Sequence, residues 1–168
     1  ILTSGGVSGG EEDHIKPAVE QLGALDLWQI AMKPGKPFAH GTVRRDAGAG
    51  ADAHRPCHFI GLPGNPVSSF ITFLLLVRPF VLRLQGVLDV APKSIALPAH
   101  FTLGKPEKRR EFLRVRRNGA GGLDLFPNQS SGVLTSTVWG DGVVDHSAGT
   151  TIAHGDPVTF IPFSELLA

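Results

Sequence analysis

The stretch Cys57-His-Phe-Ile-Gly-Leu-Pro-Gly-Asn-Pro-Val-Ser68 decides the fold. Its first six residues form a short apolar run that is typical of a buried strand, and Pro63-Gly-Asn-Pro66 then turns the chain. Asn65 occupies the position of a helix N-cap and Pro66 the first helical position, so the pattern predicts that a helix follows, with a kink near Pro79. A strand that leads into a capped helix is the repeating unit of an open α/β sheet.

The residues before this stretch repeat the same alternation. Ile1–Thr3 are typical of a strand end, and after a glycine-rich loop Ile15–Leu22 carry apolar residues at helical spacing. Leu25–Met32 and Phe38–Val43 are predicted strands on either side of a Pro-Gly turn. We therefore predict an α/β domain over residues 1–88, with its ligand site where strands end and helices begin.

After Gly86 the pattern changes to short strand-like runs separated by Gly, Pro, Asn and Asp. These runs are Ser94–Leu97, Glu111–Arg116, Leu123–Phe126, Gly142–Val144 and Val158–Ile161. No long helical pattern occurs among them, so residues 89–168 are predicted to form a small all-β, barrel-like domain.

Charge and composition limit the classes of function. The 16 Lys and Arg residues nearly balance the 15 Asp and Glu residues, so the net charge of +1 provides no broad basic field for nucleic acid or an anionic membrane. Any anion must therefore be bound locally. Cys57 is the single cysteine, which excludes an internal disulfide and indicates a reducing, cytoplasmic location. Because Arg78, Pro79 and Arg83 interrupt the apolar stretch Val67–Leu84, we predict a buried helix there rather than a membrane span.

Three loops have the composition of an anion-binding site. Thr3-Ser-Gly-Gly-Val-Ser-Gly-Gly-Glu-Glu-Asp13 places backbone amides and hydroxyls at a helix start, where unpaired N–H groups and the helix dipole favour an anion. Asp13 can there hold a metal ion that bridges phosphate oxygens. Lys33 and Lys36 lie three residues apart on the turn Lys33-Pro-Gly-Lys-Pro37, which can aim both ammonium groups at one anion. Ser68, in the first turn after Asn65, can donate to an oxyanion.

Each loop also has a purely structural interpretation. The glycine-rich segment can be a simple turn capped by Asp13, the lysine turn a solvated hairpin tip, and the Asn65 segment an ordinary helix cap. In the second half, Lys108–Arg117 carries six basic residues, most of which are expected to be solvated, with Arg114 and Arg116 on one strand face and Glu111 paired locally. Ser130 and Ser131, in an ordinary turn, can also donate to an anion.

Taken together and in this order, the segments Thr3–Asp13, Met32–Pro37 and Leu62–Ser68 closely resemble the loops of the molybdopterin molybdenumtransferases, the MoeA family that includes the gephyrin E domain. The second half adds Arg109-x-Glu-Phe-x-Arg114, Gln129-x-Ser131 and Gly155-Asp-Pro-Val158. The resemblance implies the C-terminal part of an open α/β domain like that of MoaB and Mog, followed by a β-barrel domain. The chain is thus expected to be a C-terminal fragment, poorly stable and inactive alone.

The resemblance further implies a transferase of molybdenum cofactor biosynthesis that inserts molybdate into adenylylated molybdopterin, with release of AMP, in a magnesium-dependent step. It implies catalytic roles for four residues: Asp13, Lys33, Lys36 and Arg114. Asp13 is also the implied metal ligand. It implies substrate- or cofactor-binding roles for Gly5, Gly6, Ser8, Pro37, Asn65, Ser68, Arg109 and Ser131. A homodimer, and the molybdopterin adenylyltransferase as a partner, are implied as well.

Two alternatives remain open. A molybdopterin adenylyltransferase-like enzyme shares the α/β fold and a Gly-Gly loop, but it lacks a β domain like the one predicted after Gly86. A gephyrin-like scaffold binds partner peptides, but the lysine hairpin of gephyrin departs from the Lys-Pro-Gly-Lys-Pro of residues 33–37. Release of AMP from adenylylated molybdopterin, compared with binding of a partner peptide, distinguishes these functions.

Overall fold

The computed structural model describes residues 1–7, 14–45 and 57–167. The first sheet has the strand order β1 (Leu2–Ser4), β5 (Cys57–Leu62), β4 (Ala39–Val43) and β2 (Gly23–Trp28). Helix α1 (Ile15–Leu22) packs on this sheet through Val19, which lies in a core cluster with Ala39 and Phe59. Strand β1 pairs with β5 in parallel, whereas β4 is antiparallel to both β5 and β2. The predicted α/β class is confirmed, with a sheet of mixed direction.

The chain leaves this sheet earlier than its sequence predicts. The expected strand over Leu25–Met32 ends at Trp28, because Gln29 has a φ of +71° and turns the backbone. Met32–Lys33 then form strand β3 of a second sheet, parallel to β7 (Arg110–Arg117), with Lys33 opposite Glu111. This pairing joins distant parts of the chain, so no local sequence pattern could predict it.

A continuous helical segment, Pro66–Leu84, lies between the two sheets. It consists of α2 (Pro66–Thr72), a π-helical turn (Phe73–Val77) and α3 (Arg78–Leu84). The π-helical turn ends two residues before Pro79, whose nitrogen cannot donate to the helical ladder, and the kink expected near Pro79 stays a prediction. By length and composition the segment could cross a membrane, with a mean hydropathy of 1.8. A core helix meets the same criteria, and one face of this one is buried in the protein core at Val67, Ile71, Leu74 and Val77.

The second sheet has the order β3, β7, β9 (Gly142–His146), β10 (Pro157–Pro162) and β6 (Ile95–Pro98), with β8 (Leu123–Leu125) also paired to β7. Ala99 forms an isolated bridge with Leu123, and the backbone N–H of His100 donates to the Leu123 carbonyl at 2.9 Å. The ends of the curled sheet therefore meet at one point, which makes it barrel-like without the full ring of strand pairs that a closed barrel requires. The short helices α4 (Thr135–Trp139) and α5 (Phe163–Leu167) complete it.

One hydrophobic cluster joins the long helix to the second sheet. Ile71 and Leu74 of the long helix pack with Phe112 and Val143 of the second sheet and with Leu166 of α5. The boundary at residues 88 and 89 remains a prediction about domain organisation. The packing crosses it, so the two halves should not unfold independently.

Candidate functional site

Two of the predicted site loops, the glycine-rich loop and the loop of Ser131, meet at the start of α2. The backbone N–H of Val67 donates to the Ser131 carbonyl at 3.0 Å, and the Asn65 side-chain amide donates to the Ser131 hydroxyl at 3.0 Å. Asn65 does occupy the N-cap position, but its side chain makes no capping hydrogen bond to the helix. Simple helix capping is therefore wrong for this side chain, which instead ties Ser131 to the helix start.

The glycine-rich loop reaches the same place from the first sheet. The backbone N–H of Gly5 donates to the Leu62 carbonyl at 3.0 Å, and the Ser4 hydroxyl lies 3.4 Å from that of Ser69. Gly5 and Gly6 have φ values of +86° and +72°, which non-glycine residues rarely adopt. A Cβ at Gly6 would lie 2.6 Å from Ile15 Cγ1, so this glycine also allows the loop to pack closely on α1.

Two predicted residues of that loop, Ser8 and Asp13, lie outside the described residues. Their assignments to phosphate and metal binding stay predictions. Within the described ranges, no group of three or more His, Cys, Asp and Glu side chains is arranged to hold a metal ion.

The lysine turn packs against the side of the long helix. Gly35 is buried with a φ of +115°, and a Cβ there would clash with Thr72 Cγ2 and lie 3.0 Å from Met32 Cε. The backbone N–H of Ile30 closes the turn by donating to the Lys36 carbonyl at 3.0 Å. The Lys36 side chain is exposed, and among the described residues none forms an ion pair with it, whereas Pro37 is half-buried. A solvated tip therefore describes Lys36 but not the whole turn.

Lys33 is held by two carboxylates. Its Nζ lies 2.7 Å from Glu107 Oε2 and 3.0 Å from Glu111 Oε1. Burial lowers the pKa of Lys33, but the hydrogen bonds to Glu107 and Glu111 outweigh burial and leave this pKa above its ordinary value. The hydrogen bond from Lys33 lowers the pKa of Glu107. The predicted local pairing of Glu111 is wrong, because its partner is Lys33 on the neighbouring strand.

Arg114 is a buried structural centre of the second sheet. Only 1% of its surface is exposed, although most basic residues of this segment were expected to be solvated. Its guanidinium donates to the carbonyls of Phe112 and Ser130, at 3.2 and 3.4 Å, and to the Ser136 hydroxyl at 3.2 Å. Burial lowers its pKa to about 10, and nearby Glu111 opposes that shift. Arg114 therefore fixes the loop that carries Ser131 and presents almost no surface to a ligand.

Other predicted binding residues occupy different positions around this centre. Arg109 Nη1 contacts the Met32 carbonyl at 3.4 Å, so this side chain reaches the strand that leads into the lysine turn. Ser68 is only 3% exposed, which limits its access to any ligand in this conformation. Its neighbour Ser69, which the sequence patterns did not single out, donates to the Pro63 carbonyl and faces the glycine-rich loop.

Two family models of known proteins match this chain, one in its first half and one in its second. Residues 1–83 match the family model described as "Probable molybdopterin binding domain", and residues 96–163 match "MoeA C-terminal region (domain IV)". The chain belongs to the MoeA family. The expectation drawn from the three loops is thereby confirmed.

Individual MoeA relatives extend this match over nearly the whole chain. The molybdopterin molybdenumtransferase of Haemophilus influenzae is 34% identical and aligns with 99% of this chain, which covers 40% of that relative. The Drosophila melanogaster molybdenum cofactor synthesis protein cinnamon is 31% identical over 90% of this chain, which covers 24% of it. A solved MoeA structure from Pyrococcus horikoshii superposes with a TM-score of 0.69 at 27% identity, over 96% of this chain and 36% of that one. The chain thus spans at most two fifths of the length of these MoeA proteins.

Sequence reasoning missed the two carboxylates that bind Lys33. Glu111 lies within the quoted Arg109-x-Glu-Phe motif, but only the pairing of β3 with β7 reveals its partner. Glu107 lies in no motif, and nothing in its local sequence marks it. Ser69 carries a hydroxyl directly after the quoted segment Leu62–Ser68, which is the one feature that could have identified it.

Proposed function

We propose that the protein containing this chain inserts molybdate into adenylylated molybdopterin and releases AMP. The observation that carries the proposal is the meeting of three motif loops at one long helix: the Ser4 hydroxyl lies against that of Ser69, Gly35 packs on Thr72, and Ser131 bonds to Asn65 and Val67. The family match and the name of the Haemophilus influenzae relative support it.

The described groups suit an oxyanion. Lys36 offers an exposed ammonium group, Lys33 a second one between carboxylates, and Ser131 a hydroxyl fixed at the helix start. Hydrogen bonds from charged donors to an oxyanion are about twice as strong as neutral ones, and they fix its orientation. On this proposal Lys33, Lys36 and Ser131 bind and orient molybdate, and Pro37 stiffens the turn that carries the lysines.

Other residues act through these contacts. Asn65 positions Ser131, and Arg114 positions the same loop from behind through the Ser130 carbonyl. Arg109 supports the strand that leads to Lys33. Gly5 and Gly6 let the phosphate-side loop approach the helix, and Ser68 becomes a ligand only if the helix start moves, because it is buried.

Asp13 is the one residue that we propose as a magnesium ligand. This residue, like the proposed phosphate-side Ser8, lies outside the described residues, and the described ones assemble no metal-binding group. A bound Mg²⁺ would neutralise charge on the phosphate oxygens of the adenylylated substrate.

The remaining parts of the proposal concern the whole protein. We place it in the cytoplasm as a homodimer that receives its substrate from a molybdopterin adenylyltransferase. The second sheet, whose residues 96–163 match the MoeA C-terminal region, favours a transferase of this kind over an adenylyltransferase-like enzyme. The intact Lys-Pro-Gly-Lys-Pro turn favours it over a gephyrin-like scaffold.

The test uses the longest polypeptide that the gene encodes, supplied with adenylylated molybdopterin, with and without molybdate. We expect molybdate-dependent AMP release that falls by about 100-fold or more in Lys33→Ala and in Lys36→Ala, the loss typical of removing one oxyanion donor. Lys93→Ala is the matched control, because Lys93 is an exposed lysine in the connection between α3 and β6, outside the three loops. An unchanged rate in both lysine variants would exclude the assignment, and absence of turnover together with binding of a partner peptide would favour the scaffold.

A further inference from the structure

The charges around Lys33 do not suit an anion as they stand. The ammonium group contacts two carboxylates, Glu107 at 2.7 Å and Glu111 at 3.0 Å. Arg109 and Arg114 also interact with Glu107 and Glu111, respectively, but only Lys33 is in direct ionic contact with both carboxylates. The two carboxylates occupy two of the three N–H donors of Lys33, and each repels an incoming anion at close range. An oxyanion therefore gains little from Lys33 unless one carboxylate leaves.

The two carboxylates differ in their freedom to leave. Glu111 lies within β7, between Lys33 of β3 on one side and His146 of β9 on the other, and its side chain is 6% exposed. Removing a buried carboxylate from its partner is costly, because the charge is then left without solvent or a counter-ion. Glu111 is therefore fixed on Lys33.

Glu107 is in the opposite situation. It precedes β7 on the connecting loop, and its side chain is 28% exposed. Its other side-chain contact is with the backbone N–H of Lys108, its neighbour in the chain. Because water can solvate the released carboxylate, Glu107 can rotate away from Lys33 at low cost.

We propose that Glu111 is a positioning residue that holds the Lys33 ammonium in place, and that Glu107 is an internal competitor which the incoming oxyanion displaces from Lys33. The inference rests on the proposed function, because it takes molybdate as that oxyanion. Displacement leaves Lys33 and Glu111 as a neutral pair and returns one N–H donor of Lys33 to the ligand.

Opposite effects of two similar substitutions test the proposal. Equilibrium dialysis of molybdate with the longest gene-encoded polypeptide should show about fivefold to tenfold tighter binding for Glu107→Gln, because the competing charge is gone. Glu111→Gln should weaken molybdate binding by a similar factor. Without the Glu111 carboxylate, the Lys33 ammonium is paired with Glu107 alone and is no longer held in place for the ligand. Glu20→Gln, an exposed glutamate of α1, is the matched control and should leave binding unchanged.

A Lys33→Ala background separates competition from a general charge effect. If Glu107 acts by occupying Lys33, Glu107→Gln should not alter molybdate binding in Lys33→Ala. The same gain in both backgrounds, or no gain in either, would overturn the proposal, as would a failure of every variant to bind molybdate.

Measurement of AMP release on the same variants keeps this inference distinct from the proposed function. A lower KM for molybdate in Glu107→Gln, with AMP still released, supports both. If AMP is released in a molybdate-dependent reaction but Glu107→Gln and Glu111→Gln do not change molybdate binding in opposite directions, only the proposed role of Glu107 as a competitor is refuted. If the two substitutions change molybdate binding in opposite directions but the unmodified protein releases no AMP, the role of Glu107 as a competitor is supported and the proposed reaction is refuted.

Discussion

Replacing Gly35 by Ala tests whether the lysine turn is pressed against the long helix. The φ of +115° is unfavourable for alanine, at a cost of about 1–3 kcal/mol. The new methyl group would also clash with Cγ2 of Thr72, which is fully buried, and overpacking of this kind costs about 1–3 kcal/mol. We therefore expect Gly35→Ala to lower the free energy of unfolding by about 4 kcal/mol, the sum of the two mid-range values.

Two other glycines separate the backbone cost from the clash. Gly86 has a φ of +91° with open space around its Cβ position, so Gly86→Ala should cost about 1 kcal/mol. Gly104 has neither a positive φ nor a close neighbour, and Gly104→Ala should change stability by less than about 0.5 kcal/mol.

Thr72→Ser removes the clashing methyl group but keeps the hydroxyl that donates to the Ser68 carbonyl at 2.8 Å. Combined with Gly35→Ala it should recover about 1 kcal/mol relative to the sum of the single variants, as expected for residues in contact. Urea unfolding of the 168-residue chain measures all four variants and the double variant. Additive effects, or equal losses in Gly35→Ala and Gly86→Ala, would refute the packing of the turn on the helix.

Three further predictions concern the surroundings of the site. Arg114→Lys should lower the free energy of unfolding by about 2 kcal/mol, since one ammonium group cannot replace three guanidinium contacts, whereas Arg116→Lys at an exposed position should cost less than about 1 kcal/mol. Ile71→Ala should cost about 3 kcal/mol and lower the urea midpoint equally in single-tryptophan variants that retain Trp28 or Trp139; a shift in one alone would contradict the shared core. The hydrogen bond from Lys33 holds the pKa of Glu107 below its ordinary value of 4.5. The contact with Lys33 therefore stabilises the fold above about pH 4.5, and this stabilisation is lost as the pH falls through the lowered pKa. The urea midpoints of the unmodified chain and of Glu107→Gln should converge in acid.

Much of the fold follows from local patterns. The apolar run at Cys57–Leu62 forms β5 with the predicted bounds, and Pro66 begins α2 as expected for a first helical position. The strands of the second half also lie within a few residues of their predicted limits. Local patterns succeeded here because turn residues and apolar periodicity mark these elements directly.

Long-range pairing explains what local patterns could not supply. The departure of Met32–Lys33 into the second sheet depends on the backbone at Gln29 and on β7, far along the chain. The burial of Arg114 depends on two hydrogen-bond acceptors that are distant in sequence. One is the carbonyl of Ser130 in a loop, and the other is the hydroxyl of Ser136 in α4. Motif order identified the lysine turn, but only the paired strands show Glu107 and Glu111 around Lys33.

We propose that the lysine turn and the Ser131 loop together form one oxyanion site beside α2. The most direct test is crystallography of the longest gene-encoded polypeptide with tungstate, an oxyanion of the same shape as molybdate whose metal is located by anomalous scattering. We expect one strong tungsten peak within hydrogen-bond reach of Lys36 Nζ and the Ser131 hydroxyl, with Glu107 moved away from Lys33. A tungsten peak elsewhere, with these groups unoccupied, would contradict it.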